Sequence, residues 1–485
     1  MSNKPNSEIL NKLFEKSGDV ANRTIYINAK KTIPVTLFCV DGLVNTALVD
    51  EAILRPLSLD KRLSECETEQ QLIEILSHGS AYHAFTSVLE DMDKVIQCVM
   101  SGMTALIFDQ SQKAIIFDAR GFDRRGISEP SDEGVIKGAK DSFIEVMRMN
   151  TAQIRRRIRS PHLIIEQGIV GRVSRTDYAI VYLDNIADME LVSRLKKRLE
   201  SIEIDNISTP AFVEEYIIDN HNSIFPQAVY TERPDRLSAN LTDGRVGLLI
   251  DGIPFAYILP CQMPMLMQSP EDYAQNFFVS SVLRMLRYLA LILTLLLPAY
   301  YVSVTTFQYE MLPTQLALSI QQAKTNVPFY SFVEVIGMLI AFEILIEAGV
   351  RLPKTIGQAA SIVGALVVGQ AAVEAQFVSP AVVIVIAFTG IAGFTLPNQD
   401  LSNAVRITRF GMVILAAFAG IYGMIVGIIL LLLRLCYMEN YGIAYLSPFV
   451  DVKQMNIKDT LLRAPVRFFK YRPAGLASAN RRKQK

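Results

Sequence analysis

The sequence predicts an α/β N-terminal region of two subdomains, followed by an all-α domain that spans a membrane several times. Three observations predict this class. Short apolar stretches bounded by turn residues dominate before residue 284, whereas long apolar stretches fill 284–436. The 485 residues carry no net charge overall, yet the net charge is −9 over 1–283, +2 over 284–434 and +7 over 435–485. This pattern indicates an acidic soluble half, an apolar middle and a basic tail.

The soluble half divides into a polar, disordered N-terminus (1–30), a first α/β subdomain (31–140) and a second one (141–283). Strands are predicted where apolar stretches lie between turn residues. They are "TIPVTLFCVDG" (32–42), the hairpin "MTALIF" and "KAIIFDA", the two strands of "HLIIEQGIVGRVSRTDYAIVYLDN", and the hairpin "RVGLLIDGIPFAYILP" that turns at Asp251 and Gly252. Helical periodicity predicts helices at "NTALVDEAILRPL", at 142–158 and at "ADMELVSRLKKRLESI".

The soluble half contains no motif of an enzyme. It has no phosphate-binding loop, dinucleotide fingerprint, HExxH helix or GxSxG turn. The five cysteines are scattered without CxxC spacing, which indicates a reducing compartment, and the four histidines lack metal-site spacing. The basic run "RRRIR" (155–159) lacks interleaved aromatic residues, so a solvated helix end or a subunit contact is favoured over nucleic-acid binding. We therefore predict no catalysis, no metal, no cofactor and no nucleic-acid partner.

The membrane domain is predicted over 284–436, with four to six membrane segments. Apolar residues dominate four stretches that are each long enough to cross a bilayer, and a more polar stretch at 312–329 is assigned to the surface or to a re-entrant loop. The four stretches are 285–307, 332–350, 377–397 and 410–435, and a further short or re-entrant helix is expected near 357–376.

The basic residues predict the orientation of this domain. Arg284 and Arg287 flank the first span and favour a cytoplasmic N-terminal region, and the basic tail (437–485) favours the same side. Both ends on one side require an even number of crossings. Four spans satisfy this if 357–376 enters and leaves on one side, or 312–329 also crosses, so the exact number stays open.

Three carboxylates fall inside the predicted spans. A charged side chain at the bilayer centre costs about 2.5 kcal/mol or more, so Glu334, Glu343 and Glu347 are expected to face a bundle interior or a water path. Glu343 and Glu347 lie one turn apart on one helix face. An interfacial ion pair between Glu347 and Arg351 is the alternative, and Glu334 is close enough to a helix start to be interfacial.

The segment "GQAASIVGALVVGQAAVEAQ" (357–376) combines small residues with amides and one carboxylate. Small residues three and four apart let helices approach closely, so packing within one subunit is one interpretation. The other is that identical copies surround an axis and line a pore, with Val368 as the constriction and Glu374 near one mouth. The pore-lining candidates are Gly357, Ser361, Gly364, Ala365, Val368, Gln370 and Glu374.

Several blocks of the sequence resemble the A subunits of GerA-type bacterial spore germinant receptors. The blocks are "EPSDEGVIKGAKDSFIEVMRMNTAQIRRRI", "FPQAVYTERPDR", "DGRVGLLIDGIPFAYILP", "SPEDYAQNFFVSSVLRMLRY" and "RLPKTIGQAASIVGALVVGQAAVEAQFVSP", in this order from about residue 30 to about 450. The resemblance implies a multi-pass protein of the spore inner membrane, with its N-terminal domain and tail on the spore core side. It also implies assembly with a B subunit, which carries the nutrient site, and with a lipoprotein C subunit.

The same resemblance implies a homo-oligomeric ring, with five subunits as the expected number, that conducts monovalent cations when nutrients trigger germination. A related type, the stage V sporulation protein AF type, is a channel component without a nutrient site of its own, and the sequence leaves both open. A secondary transporter is disfavoured because the spans show no internal repeat. A membrane-anchored scaffold is the third alternative. In "FPQAVYTERPDR", Arg233 and Arg236 are candidate interface residues that pair with acidic groups.

Overall fold

The computed structural model describes residues 4–27, 32–77, 86–121, 130, 133–135, 137–207, 209–351, 367, 369–450, 459–473, 476 and 480–484. The chain forms two compact units. The first comprises Met1–Asp219, Ala228–Pro260 and Phe469–Lys485, and the second comprises Asn220–Gln227 and Cys261–Phe468. The second unit therefore includes eight residues, 220–227, that are separated in sequence from the rest of it.

The first unit contains two five-stranded antiparallel sheets with one topology. The strands are β1 (Val20–Ile27), β2 (Ile33–Val40), β3 (Thr86–Leu89), β4 (Thr104–Phe108), β5 (Lys113–Phe117), β6 (Leu163–Val170), β7 (Thr176–Leu183), β8 (Val229–Thr231), β9 (Val246–Ile250) and β10 (Ala256–Leu259). The spatial orders are β1-β2-β4-β5-β3 and β6-β7-β9-β10-β8, so the second sheet repeats the first strand for strand. Strands β2, β4 to β7, β9 and β10 agree with the predicted strands and hairpins, whereas β1, β3 and β8 were not predicted.

Helices cover the sheets because the central strands bury both faces. Alternate residues of β2 enter different cores: Val35 and Leu37 pack on one side, and Phe38 and Val40 on the other. The helices of this unit are α1 (Ser7–Phe14), α2 (Thr46–Val49), α3 (Arg55–Leu59), α4 (Lys61–Ser64), α5 (Glu69–Ile75), α6 (Met92–Met100), α7 (Met147–Arg157), α8 (Met189–Glu200), α9 (Pro210–Ile217) and α10 (Pro234–Asp243), with a π-helical turn at Asp50–Leu54.

The prediction that residues 1–30 are disordered is wrong for 4–27. The side chain of Asn6 caps α1, whose apolar residues Leu10 and Phe14 are buried in the first subdomain. The α1 residue Ser7 also hydrogen-bonds Asp109, at 2.6 Å between the hydroxyl and the carboxylate. Strand β1 then pairs with β2 along its whole length. This polar segment is ordered by contacts with residues far away in the sequence. Its composition alone did not predict that order.

The second unit is mostly helical. Its helices are α11 (Met263–Leu266), α12 (Glu271–Ala274), α13 (Phe277–Thr306), α14 (Thr314–Lys324), α15 (Ser331–Arg351), α16 (Pro380–Phe394) and α17 (Gln399–Tyr437), and 369–374 are also helical. Among the described residues, α13 and α17 are long and apolar enough to cross a membrane, and α16 is a shorter apolar helix. The exposed helix α14 has eleven residues, or about 16 Å, which is too short to cross.

The predicted single span at 410–435 is wrong, because α17 breaks at Gly420. This residue has φ 61° and ψ −139°, a conformation that ends one helix and starts another. A Cβ atom on Gly427 would lie 2.6 Å from Sδ of Met412, although a straight helix would hold these residues about 22 Å apart. The chain therefore doubles back as a hairpin, with a first arm (399–419) and a second arm (421–437).

Contacts between the helices give their relative directions. At its start, α15 places Glu334 against the backbone N–H of Ser379, at the start of α16, with 2.8 Å between the atoms. Further along both helices, the ring of Phe342 lies 6.3 Å from that of Phe394. These two helices are therefore parallel, and the ends of the connection between them, Arg351 and Pro380, lie at opposite ends of the pair.

Helix α13 runs antiparallel to α16 and parallel to the first arm. A Cβ atom on Gly393, at the end of α16, would lie 3.5 Å from Thr294 in the first half of the apolar stretch of α13. The end of α13 meets the hairpin turn, where the side chain of Gln308 accepts a hydrogen bond from the N–H of Ile421 at 3.3 Å. The turn at Gly420 and the end of α13 therefore lie at the same end of the helical unit.

Candidate functional site

Most of the predicted pore-lining segment lies outside the described residues. Gly357, Ser361, Gly364, Ala365 and Val368 belong to that part of the chain. Gln370 and Glu374 are described and are both exposed on the helical segment 369–374. Being four residues apart, they share one face, whereas Gly369 is buried with Val383 of α16 near its Cβ position, at 3.6 Å. The two polar side chains are therefore exposed on the described chain, and their pore-lining role stays a prediction.

Glu343 lies at the centre of a charged cluster between α15 and the first arm. Its carboxylate contacts the guanidinium groups of Arg406 and Arg409, each at 2.7 Å. Arg409 is only 1% exposed, so its charge depends on this carboxylate for compensation. Neither arginine was predicted from the sequence, although their spacing of three residues on an apolar helix was a usable signal.

Glu343 and Glu347 line a common cavity of about 550 Å³. The other lining residues are Ile340, Ile344, Ala348 and Phe410. The two carboxylates therefore share a face, as predicted from their spacing. The alternative prediction, an ion pair between Glu347 and Arg351, stays a prediction, because the side chain of Arg351 lies outside the described part of the structure.

Glu334 is buried where three helices start or end. One carboxylate oxygen accepts the hydrogen bond from Ser379, and the other lies 3.3 Å from Nζ of Lys324 at the end of α14. Only 2% of Glu334 is exposed, so its charge is compensated inside the protein rather than by water. This carboxylate fixes the start of α15 against α16.

A second polar cluster holds the start of α13. The guanidinium of Arg284, predicted as a flanking charge, is fully buried and pairs with Asp272 at 3.1 Å and with Asp459 at 2.9 Å. Arg287 adds a contact to Asp272 at 2.8 Å. Arg463 donates to the carbonyl of Gln275 at 2.8 Å. The segment that begins at residue 459 therefore binds to the N-terminal end of α13. The sequence alone predicted this segment only as part of a basic tail.

Arg233 and Arg236 both pair with acidic residues of the same chain. Arg233 is 1% exposed, contacts Asp235 at 2.7 Å and donates to the carbonyl of Glu133 at 3.2 Å. Arg236 binds the carboxylate of Glu133. Their predicted role at a subunit interface remains a prediction, and their acidic partners lie within the first unit.

The basic run at 155–159 contains a buried residue. Arg155 is fully buried and makes a two-pronged contact with Asp19, at 2.7 and 2.8 Å. The prediction of a solvated helix end is therefore wrong for Arg155, although Arg156, Arg157 and Arg159 are exposed. Over the described part of the chain, no group of three His, Cys, Asp or Glu residues could hold a metal ion.

Comparison with known proteins gives relatives along nearly the whole chain. Spore germination protein KA of Bacillus subtilis (strain 168) is 37% identical over 96% of this chain and 85% of its own. Spore germination protein B1 of the same strain is 36% identical over 96% of both chains. The uncharacterized membrane protein YfkQ, also from that strain, is 38% identical over 92% of this chain and 86% of its own.

One solved structure is also similar, the N-terminal domain of the A subunit of the Bacillus megaterium spore germinant receptor GerK3. It is 25% identical, covers 52% of this chain and 91% of its own, and has a TM-score of 0.40.

A family model described as Bacillus/Clostridium GerA spore germination protein matches residues 8–475. This match confirms the resemblance seen in the sequence blocks, and it agrees with the prediction that the chain is not an enzyme, because the family is not enzymatic. The chain belongs to the GerA family of spore germination proteins, a membrane-associated family of germinant receptor A subunits.

Proposed function

We propose that this protein is the A subunit of a spore germinant receptor and forms a homo-oligomeric channel for monovalent cations in the spore inner membrane. The observation that carries the proposal is the exposed carboxylate of Glu374, on the helical segment that follows the small-residue stretch 357–368. Charges among apolar membrane helices are costly and mark ion or proton paths. Membership of the GerA family supports the germination role.

The helix directions support a membrane domain with both ends on the spore core side. Helix α13 and the first arm run one way, whereas α15, α16 and the second arm run the other way. Because Arg351 and Pro380 lie at opposite ends of the parallel pair, we propose one further passage between them. Six passages result, an even number, which agrees with the basic residues at Arg284 and in the tail.

Oligomerisation supplies the ion path that one chain lacks. The small residues from Gly357 to Val368 allow several copies to converge on an axis, and the exposed Gln370 and Glu374 then face the path. A ring of Glu374 carboxylates favours cations over anions. Five subunits, a nutrient-binding B subunit and a lipoprotein C subunit complete the proposed receptor.

The test is conductance of the purified protein in planar bilayers under a potassium chloride gradient. Wild type is expected to give cation-selective current, Glu374→Gln to lose selectivity or current, and Val368→Ala to leak. Glu310→Gln is the matched control, because Glu310 is an exposed carboxylate in the connection after α13.

Absence of current from wild type would contradict the channel. Normal conductance in both variants would place the path along the Glu343 and Glu347 cavity instead. A receptor subunit must also make germination depend on a nutrient in spores, whereas an AF-type component would support germination by other receptors.

A further inference from the structure

The hairpin of α17 encloses a groove whose two ends differ in polarity. The groove has a volume of about 410 Å³ and lies between the two arms and residues 222–225 of the same unit. Met412 and Leu415 of the first arm and Leu430 and Leu431 of the second form apolar walls. Thr408, Asn222 and Arg434 line it as well and add polar groups.

Among the described residues that line the groove, Arg434 alone is charged. It is exposed near the end of the second arm, and the described part of the chain offers it neither an ion pair nor a hydrogen bond. Other arginines of this unit differ, since Arg284, Arg406 and Arg409 all bind carboxylates. A guanidinium next to an apolar groove is complementary to an anionic group that carries an apolar chain.

Gly411 keeps one wall of the groove open. A Cβ atom on Gly411 would have nothing within 4 Å, so no neighbour in the described structure requires a glycine there. Glycine within a helix costs about 1 kcal/mol relative to alanine. Gly427 across the groove differs, because Met412 occupies the space of its missing side chain. Packing against a neighbour therefore does not explain the glycine at position 411. Its effect is to leave this wall of the groove without a side chain.

We propose that the groove binds one acyl chain of an anionic phospholipid, with the lipid phosphate on Arg434. This inference rests on the membrane placement in the proposed function, but not on ion conduction. The acyl chain of the lipid lies along Met412, Leu415 and Leu430. It occupies the open space next to Gly411, where a side chain is missing. Cytoplasmic leaflets are rich in anionic lipids, and Arg434 lies at the end of the hairpin opposite Gly420, the end assigned to the spore core side.

The test measures lipid retained by the purified protein in detergent, by native mass spectrometry after addition of phosphatidylglycerol or phosphatidylcholine. Wild type is expected to retain one phosphatidylglycerol per chain. Gly411→Leu projects a side chain into the groove from a position where a Cβ atom meets nothing within 4 Å, so it should abolish retention without lowering thermal stability. Arg434→Gln should weaken phosphatidylglycerol retention about five- to tenfold and leave phosphatidylcholine unaffected.

Arg467→Gln is the matched control, because it removes an exposed basic charge that does not line the groove, and it should behave as wild type. Equal retention in wild type and Gly411→Leu would overturn the proposal, as would an equal loss in Arg467→Gln and Arg434→Gln. A change of oligomeric state in Gly411→Leu without lipid loss would assign the groove to a second copy of this chain and also overturn it. Because the measurement needs no current, its failure is distinct from failure of the channel.

Discussion

Arg155 and Asp19 form a fully buried ion pair that joins the two α/β subdomains of the first unit. Asp19 precedes β1 of the first sheet, whereas Arg155 lies in α7, which begins the second subdomain. The N–H of Gly18 also binds the carbonyl of Ile165 in β6, at 3.0 Å. Removing one member of a buried pair leaves a charge without compensation, which is far more costly than loss of a surface pair.

We predict that Asp19→Asn destabilises the first unit by about 3–5 kcal/mol. Denaturant unfolding followed by tyrosine fluorescence measures this change in the free energy of unfolding. Asp205→Asn is the control, since the Arg172–Asp205 pair is largely exposed and should contribute less than about 1 kcal/mol. Equal effects of the two substitutions would contradict a clamp at Asp19.

A second prediction concerns Glu343, whose single carboxylate compensates two guanidinium groups. Glu343→Gln should lower the thermal unfolding temperature of the detergent-solubilised protein, because Arg409 would remain buried without a full counter-charge. Glu310→Gln neutralises an exposed carboxylate and should leave that temperature unchanged. An unchanged unfolding temperature in Glu343→Gln would show that Arg409 does not depend on this contact.

These pairs explain why the polar sites were only partly predictable. The sequence identified Glu334, Glu343 and Glu347 because a charge in an apolar stretch is a local signal. It did not identify Arg406, Arg409 or Asp459 as partners, because each lies more than sixty residues from the group it binds. Arg155 looked solvated for the same reason, since Asp19 is 136 residues away.

Among the elements, most strands were predictable and the last helix was not. Strands β2, β4 to β7, β9 and β10 each have their own apolar pattern and flanking turns, whereas β1, β3 and β8 are short or polar and were not predicted. The hairpin of α17 depends on the backbone conformation of Gly420, and the hydropathy of the sequence carries no information on that conformation. The length of the apolar stretch was therefore predicted correctly, but the stretch was interpreted as one straight helix.

Gly420 itself is open to test. Gly420→Ala should disturb the hairpin, because an L-residue is strained at φ 61° and a Cβ atom would lie 2.8 Å from Nε2 of Gln308. A bismaleimide linker between cysteines at 408 and 431 reports the closed arms, since both positions line one groove. Cross-linking should be efficient in the parent and reduced in Gly420→Ala.

Gly411→Ala is the control for that experiment, because its Cβ has open space. In a straight helix, residues 408 and 431 would be about 34 Å apart, beyond the reach of the linker. Failure of the parent to cross-link would therefore exclude the hairpin.

For the whole molecule, the six proposed passages predict the side on which each surface lies. Single cysteines at Glu200 and Arg481 should be protected from an impermeant thiol reagent in intact cells, whereas a cysteine at Tyr330 should react. All three positions are exposed, and Tyr330 is 83% exposed between α14 and α15. Labelling at 200 or 481 from outside would reverse the orientation.

The native cysteines interfere little with this measurement. Cys39, Cys66 and Cys261 are buried, and burial raises the pKa of the Cys39 thiol to about 11, so its reactive thiolate is scarce at neutral pH. Cys98 is half-buried and Cys436 is exposed, so both have to be replaced first. A variant without these two cysteines should show near-zero background, and strong residual labelling would mean that the buried thiols open to solvent.

The two units exchange segments of chain, and this has a consequence for splitting the protein. Residues 220–227 belong to the second unit, where Asn220 donates to the carbonyl of Glu439 at 3.1 Å, and Arg472 belongs to the first, where it donates to the carbonyl of Thr242 at 2.7 Å. Polypeptides 1–260 and 261–485 would each carry a piece of the other's unit. When the two polypeptides are co-expressed, they should complement each other and co-purify. Fragments that are produced separately should recombine poorly. Independent elution of the co-expressed pair would show that the exchanged segments contribute little to the stability of the two units.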